Sequence, residues 1–134
     1  MVAIRIEYQG NLHCSATHGP SGAQLSTDAP LDNMGKGATF SPTDLVATAL
    51  GTCIMTTMAI KAQSMGIDLA GSTVDVKKEM TSNPRRIGRL TTNVVIPQQL
   101  GERERKVLEA TANSCPVHKS LGAEVEMPIT FHWG

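Results

Sequence analysis

Hydrophobic and polar residues alternate in several short stretches of the chain, and this alternation predicts β-strands. Two stretches near the start, residues 2–8 and 12–16, are separated by Gln9-Gly10-Asn11 and therefore predict a β-hairpin. Further strands are predicted at residues 23–26, 73–80, 89–96 and 124–133. The 73–80 and 89–96 stretches flank a turn-forming segment, so they predict a second hairpin.

Helical signals begin at Ser41-Pro42-Thr43-Asp44, which combines a capping serine, a proline in the first turn and an acidic residue three positions after the cap. The predicted helix continues to about Met65 and ends at Gly66. Residues 45–60 are apolar or threonine on every face, so this helix should be covered on all sides. Two shorter helical segments are predicted at residues 102–114 and 116–121.

The order of these elements, βββα–ββα–β, predicts an α+β fold in which the six strands form an antiparallel sheet. We interpret residues 1–134 as one domain, because the length suits a single core. One sheet can cover only one side of the long helix, and the remaining small helices cannot enclose the other side. This predicts an obligate homodimer that buries the helix between two subunits.

The charge balance, the apolar stretches and the cysteine count exclude several classes of function. Lys plus Arg and Asp plus Glu number 12 each, so no basic excess is available for nucleic-acid phosphates or anionic lipids. The uncharged stretch 45–60 is shorter than the roughly 20 residues of a membrane-spanning helix. The start of the sequence has no secretory pattern, and three cysteines without a CxxC pair suit a reducing compartment. We therefore expect a cytoplasmic protein without nucleic-acid or membrane partners.

The three cysteines are the candidates for chemistry. Cys53 lies within the long apolar helix, where a cysteine is either a small core residue or a shielded nucleophile. Cys115 precedes Pro116 at the start of a helical turn, a position that should lower the pKa of its thiol. Cys14 alternates with apolar residues on a strand and should pack in the core. His118 could act as a base toward Cys115, but the pair supplies only half of a zinc motif, so no metal site is expected.

Taken together, these segments resemble the OsmC/Ohr family of osmotically inducible and organic hydroperoxide resistance proteins. The resemblance rests on Phe40–Leu45 leading into Ala49–Cys53, and on a second cysteine 62 residues further along in Cys115–Leu121. It extends to the order of the elements over nearly the whole chain. The segments 16–18 and 27–30 are most similar to the general OsmC-like branch of the family.

The resemblance implies a thiol peroxidase without metal or flavin. It makes Cys53 the thiol that is oxidised by an organic hydroperoxide and Cys115 the thiol that resolves its sulfenic acid into a disulfide. It also implies reduction by a dithiol such as a lipoyl group, free or on a lipoylated protein. The implied architecture is an intertwined homodimer in which antiparallel sheets are wrapped around long central helices.

The sequence departs from the family pattern at the residues that activate the first thiol. Family peroxidases use an arginine from the N-terminal region and a glutamate ten residues before the cysteine, but Thr43 stands at the second position. Arg5 is followed by no other arginine until the second hairpin. Without a nearby cation, a buried Cys53 should have a raised pKa. Three arginines in or beside that hairpin are candidates to replace the activator: Arg85, Arg86 and Arg89.

Two other functions are compatible with the same residues. The first is a hydrolase of acyl substrates, with Cys115 or Cys53 as nucleophile and His118 as base. The second is a non-catalytic OsmC-like protein that binds a small ligand or senses redox state through its thiols.

Overall fold

The computed structural model describes residues 1–134 and contains six strands, three α-helices and one short 3-10 helix. The strands are β1 (Ile4–Tyr8), β2 (His13–His18), β3 (Gln24–Asp28), β4 (Thr73–Thr81), β5 (Arg86–Ile96) and β6 (Ile129–Trp133). The α-helices are α1 (Pro42–Ser64), α2 (Glu102–Ala112) and α3 (Pro116–Ser120), and the 3-10 helix spans Leu31–Asn33. Each predicted element is present, with ends shifted by a few residues.

The chain divides into two compact units, Met1–Val46 and Ala47–Gly134, and the division falls within α1. The first unit holds the antiparallel sheet β1-β2-β3, in which Ile6 pairs with Ala16 and Ala16 with Leu25. These residues share one face of the sheet, since side chains directly opposite each other in a ladder point the same way. Ile6 is 62% exposed and Leu25 is 49% exposed, so this apolar face is open. Cys14 on β2 is half-buried, and the prediction that it packs in the core is wrong because its sheet lacks a cover.

A buried acidic residue anchors the loop that leads from β3 to α1. Asp28 is 7% exposed, and its Oδ1 lies 2.5 Å from Nδ1 of His13 on the neighbouring strand. Its Oδ2 accepts a hydrogen bond from the Ala38 backbone N–H at 3.0 Å. The Asp28 N–H donates to the Phe40 carbonyl at 3.1 Å. Both ends of the 29–40 loop are therefore tied to one carboxylate and its backbone.

The predicted ends of α1 are confirmed. Ser41 Oγ accepts from the Asp44 N–H at 3.1 Å, and Asp44 Oδ2 accepts from the Ser41 N–H at 2.9 Å, which is a capping box. At the other end Gly66 has a φ of +73°, and the Ile67 N–H donates to the Ala62 carbonyl at 2.9 Å. This is the reversal that glycine favours at a helix C-terminus.

Within the chain, α1 is buried along one face only. Its buried residues recur every three or four positions: Ala47, Leu50, Gly51, Ile54, Met58 and Ala62. Thr48, Thr52 and Thr56 are exposed, and Ile60 is 66% exposed. The expected cover on every side is therefore absent from a single chain. By length and composition alone α1 could cross a membrane, but a core helix passes the same test, so this is weak evidence.

The second unit contains the sheet β4-β5-β6. Its central strand supplies a continuous buried row, Leu90, Thr92, Val94 and Ile96, each with no exposed surface. β4 pairs antiparallel with β5, whereas β6 runs parallel to β5. The prediction of a single antiparallel six-stranded sheet is therefore wrong for the chain. The reason is the crossover through α2 and α3, which returns the chain to the same end of the sheet before β6 begins.

Candidate active site

Cys53 lies on the part of α1 that packs closely against the second sheet. Gly51, two residues earlier, has no room for a side chain, since a Cβ there would lie 2.8 Å from Val76 Cγ2 on β4. Leu50 and Ile54 beside it are fully buried, and Cys53 itself is half-buried. The thiol is therefore held on a helix with a fixed position, and part of its surface remains accessible.

Cys115 is the N-terminal cap of α3, as the sequence predicts from Pro116 at the first helical position. Its Sγ accepts a hydrogen bond from the His118 backbone N–H at 3.2 Å. Its carbonyl accepts from the Lys119 N–H at 3.1 Å. Cys115 is fully buried. The short helix thus presents this sulfur in one orientation on a segment far from Cys53 in sequence.

The fold brings Cys53 and Cys115 together. Their side chains are near enough for each thiol to shift the pKa of the other, although 62 residues separate them in the chain. The Val117 backbone N–H lowers the pKa of the Cys53 thiol, and Cys53 Sγ lies 3.9 Å from Thr57 Oγ1 one helical turn further on. Sequence analysis singled out both cysteines but missed Thr57 and the Val117 amide. The i, i+4 spacing of Thr57 from Cys53 is a signal that could have identified the threonine.

The two thiols differ in acidity, in the order opposite to the expected one. Burial raises the pKa of Cys53, but hydrogen bonds from the Val117 N–H, Cys115 and Thr57 outweigh it, so the pKa is below the ordinary thiol value. Burial is also the largest influence on Cys115, and the neighbouring Cys53 adds to it, so the pKa of Cys115 is raised despite the His118 amide. Cys53 is therefore the thiol that ionises first, and Cys115 remains a protonated hydrogen-bond donor.

The arginine candidates do not supply this effect within the chain. Arg89 Nε and Nη2 bind Glu126 Oε2 at 2.8 and 2.7 Å, and Arg86 Nη1 donates to the Glu124 carbonyl at 3.2 Å. Arg85 lies exposed in the turn between β4 and β5. The groups that lower the pKa of Cys53 are a backbone amide, a thiol and a hydroxyl, and none of them is a cation. The hypothesis that one of these arginines points at Cys53 therefore has no support within the chain.

The remaining sequence candidate, His118, is not joined to the thiol pair through its side chain. The backbone N–H of His118 donates to Cys115 Sγ, whereas its imidazole makes no hydrogen bond to that sulfur. No group of three or more His, Cys, Asp or Glu side chains is arranged to hold a metal ion. The arrangement can therefore form a thiolate at Cys53 beside a second thiol, which is the chemistry of disulfide formation.

Comparisons with known proteins agree with this description. The model of the OsmC-like protein family matches residues 35–130, so the chain belongs to the OsmC-like family. The predicted resemblance is thereby confirmed. A candidate osmotic stress induced and detoxification response protein from Psychrobacter arcticus is 42% identical, with a TM-score of 0.94 over 98% of this chain and 96% of that one. A search among proteins with curated functions finds no match.

More distant structures share the fold. An organic hydroperoxide resistance protein OsmC from Legionella pneumophila is 17% identical, with a TM-score of 0.77 over 98% of this chain and 96% of that one. The organic hydroperoxide resistance protein OhrB of Bacillus subtilis is 16% identical, with a TM-score of 0.72 over 98% of this chain and 97% of that one. At these identities the likeness establishes the α+β OsmC-like fold.

Proposed function

We propose that the protein is a thiol peroxidase that reduces organic hydroperoxides through Cys53 and Cys115. The observation that carries the proposal is the proximity of these two thiols, each of which shifts the pKa of the other, with the pKa of Cys53 lowered and that of Cys115 raised. A nucleophile that ionises readily, next to a protonated thiol, is the arrangement that a two-cysteine peroxidase needs. The names of the Legionella and Bacillus proteins of the same fold support this reaction class.

The reaction begins with the Cys53 thiolate. Its sulfur attacks the terminal oxygen of the hydroperoxide, the O–O bond breaks, and the alkoxide takes up a proton and leaves as the alcohol. Cys53 is then a sulfenic acid. The Cys115 thiol attacks its sulfur, a disulfide forms, and the hydroxyl leaves with the thiol proton as water. The peroxide is reduced by two electrons, and the two thiols are oxidised by two.

A second dithiol completes the cycle. One of its thiolates attacks the Cys53–Cys115 disulfide, and its other thiol closes the new mixed disulfide, which returns both cysteines to thiols. We propose that this reductant is a lipoyl group, either on a protein or as free lipoamide. We also propose that the protein acts in the cytoplasm. The protein itself needs no metal or flavin for these steps, because sulfur carries both electrons.

We also propose that the protein is a homodimer, intertwined so that each chain covers apolar surface of the other. One face of α1 and the apolar face of β1-β2-β3 are open in the single chain, with Ile4, Ile6 and Tyr8 58%, 62% and 63% exposed. Contiguous apolar surface of this kind marks an interface. Light scattering should give twice the mass of the chain at micromolar concentration, and the mass of a single chain would contradict the dimer.

The peroxidase proposal is tested by adding one equivalent of cumene hydroperoxide to the reduced protein. Intact mass should fall by the mass of two hydrogen atoms within seconds, and peptide mapping without reductant should show Cys53 joined to Cys115. Cys115→Ser should stop at the Cys53 sulfenic acid, Cys53→Ser should not react, and Cys14→Ser should behave as the unmodified protein. Retention of all three thiols in the unmodified protein would overturn the peroxidase and leave a ligand-binding or other OsmC-like protein.

A further inference from the structure

Threonine hydroxyls inside helices usually donate to the backbone carbonyl one turn earlier. Thr111 on α2 follows this rule, and its hydroxyl donates to the Val107 carbonyl at 2.8 Å. Thr57 on α1 differs, because its Oγ1 faces the sulfur of Cys53 at 3.9 Å. This hydroxyl lies half-buried on the same helix as the nucleophile. Its orientation therefore needs an explanation beyond the ordinary behaviour of a helical threonine.

The surroundings of Cys53 in the chain supply that explanation. The donors around the sulfur are the Val117 amide, the Cys115 thiol and the Thr57 hydroxyl, and all three are neutral. Arg89, a cation on the adjacent sheet, is held by Glu126 and Glu79. A thiolate without a cationic partner depends on hydrogen bonds, and those bonds strengthen when the acceptor carries a negative charge.

We propose that Thr57 is a positioning residue for the nucleophile, and that its hydroxyl donates a hydrogen bond to the Cys53 thiolate. The inference rests on the proposed peroxidase function. Thr57 neither gains nor loses a proton in the reaction. Its hydroxyl stabilises the negative sulfur before attack and holds it in one direction. When the sulfur becomes neutral sulfenic acid, this hydrogen bond weakens, and the adjacent Cys115 thiol can attack the sulfur.

The substitution Thr57→Val tests the proposal, because valine keeps the shape of threonine and removes the hydroxyl. The measurement is the pH midpoint for alkylation of Cys53 by iodoacetamide, followed on the Cys53 peptide by mass spectrometry. Loss of one donor to a thiolate should raise this midpoint by about half a pH unit or more. Thr57→Ser, which retains a hydroxyl, should restore the original midpoint. Thr111→Val, the matched control on α2, should leave it unchanged.

An unchanged midpoint in Thr57→Val would overturn the proposal. If that variant does not fold, as judged by circular dichroism, Thr57→Ala removes the same hydroxyl without adding a methyl group and decides the same question. A midpoint that rises equally in Thr57→Ser would also overturn it, since the effect would then come from packing and not from the hydroxyl.

Alkylation needs no hydroperoxide, so failure of this inference can be distinguished from failure of the proposed function. A shifted midpoint in a protein that ignores cumene hydroperoxide would leave Thr57 as a thiolate donor and remove the peroxidase. Rapid disulfide formation with an unshifted midpoint would do the reverse. Where both hold, Thr57→Val should lower the rate of peroxide reaction about threefold at neutral pH and recover most of it above the new midpoint.

Discussion

The two units of the chain use apolar residues in different ways. In Ala47–Gly134, the central strand β5 and the buried face of α1 provide side chains with no exposed surface, such as Leu90 and Ile54. In Met1–Val46, every residue of β1 is exposed, and the apolar face of its sheet remains open. The second unit therefore has a core of its own, whereas the first is held by its hydrogen-bonded ladder and by the contacts of Asp28.

The candidate active site lies within the second unit. Cys53, Thr57, Val117 and Cys115 all belong to the second unit, so the thiol pair lies in the part of the protein that packs on its own. A rigid support favours catalysis because it fixes distances between reacting groups. The first unit contributes open apolar surface, and this is where we propose that the dimer interface lies.

The largest expected effect comes from Leu90→Ala, which removes a fully buried side chain from β5. Loss of its packing should lower the free energy of unfolding by about 2–5 kcal/mol. The matched change Leu25→Ala, at a position that is 49% exposed, should cost under about 1 kcal/mol in the single chain. Urea unfolding checks both variants. In a dimer, any additional loss of stability in Leu25→Ala should depend on protein concentration. If Leu25→Ala and Leu90→Ala lost the same free energy of unfolding at every concentration, the two units would not differ in the way described.

A charge on the open sheet should break the proposed interface. Ile6→Asp places a carboxylate among the apolar residues of β1 and β2, and an unpaired charge is costly to bury. We expect the dimer dissociation constant to rise about tenfold to a hundredfold, as measured by sedimentation velocity. Glu7→Gln, on the opposite face of the same strand, should leave it unchanged. A dimer of the original strength in Ile6→Asp would show that this face lies outside the interface.

The parts of the fold that sequence predicts well are those set by neighbouring residues. The start of α1 follows from Ser41 and Asp44, and its end follows from Gly66, because caps and reversals depend on a few adjacent residues. The direction of β6 could not be predicted in this way. Its parallel pairing with β5 is a long-range contact that depends on where the crossover through α2 and α3 places the chain.

The candidate site, like the fold, could be predicted from the sequence only in part. Cysteine spacing and the turn before Pro116 pointed to both thiols, but their order of acidity was predicted wrongly. A position at a helix start indicates a lowered pKa only while the sulfur stays accessible, and Cys115 is fully buried. The donors to Cys53 come partly from the Val117 amide, which any residue type would provide. Backbone donors of this kind cannot be identified from the residue types in a sequence.

The smallest effect concerns Asp28, the polar anchor of the first unit. The hydrogen bond from His13 lowers the pKa of Asp28, and the Ala38 amide adds to this against the opposing effect of burial. Because the folded pKa lies below the ordinary value, the ionised carboxylate stabilises the fold above about pH 4, and this contribution is lost as pH falls. Asp28→Asn should therefore melt a few degrees lower than the unmodified protein at pH 7, with a gap that narrows toward pH 3.

Melting curves across this pH range, with Glu7→Gln as an exposed carboxylate control, decide whether the anchor acts in this way. The control should show no comparable gap at pH 7, since Glu7 is exposed on β1. A gap in Asp28→Asn that is constant from pH 7 to pH 3 would mean that the charge of Asp28 does not stabilise the first unit. The stability of that unit would then come from its ladder of backbone hydrogen bonds and from the uncharged contacts of residue 28.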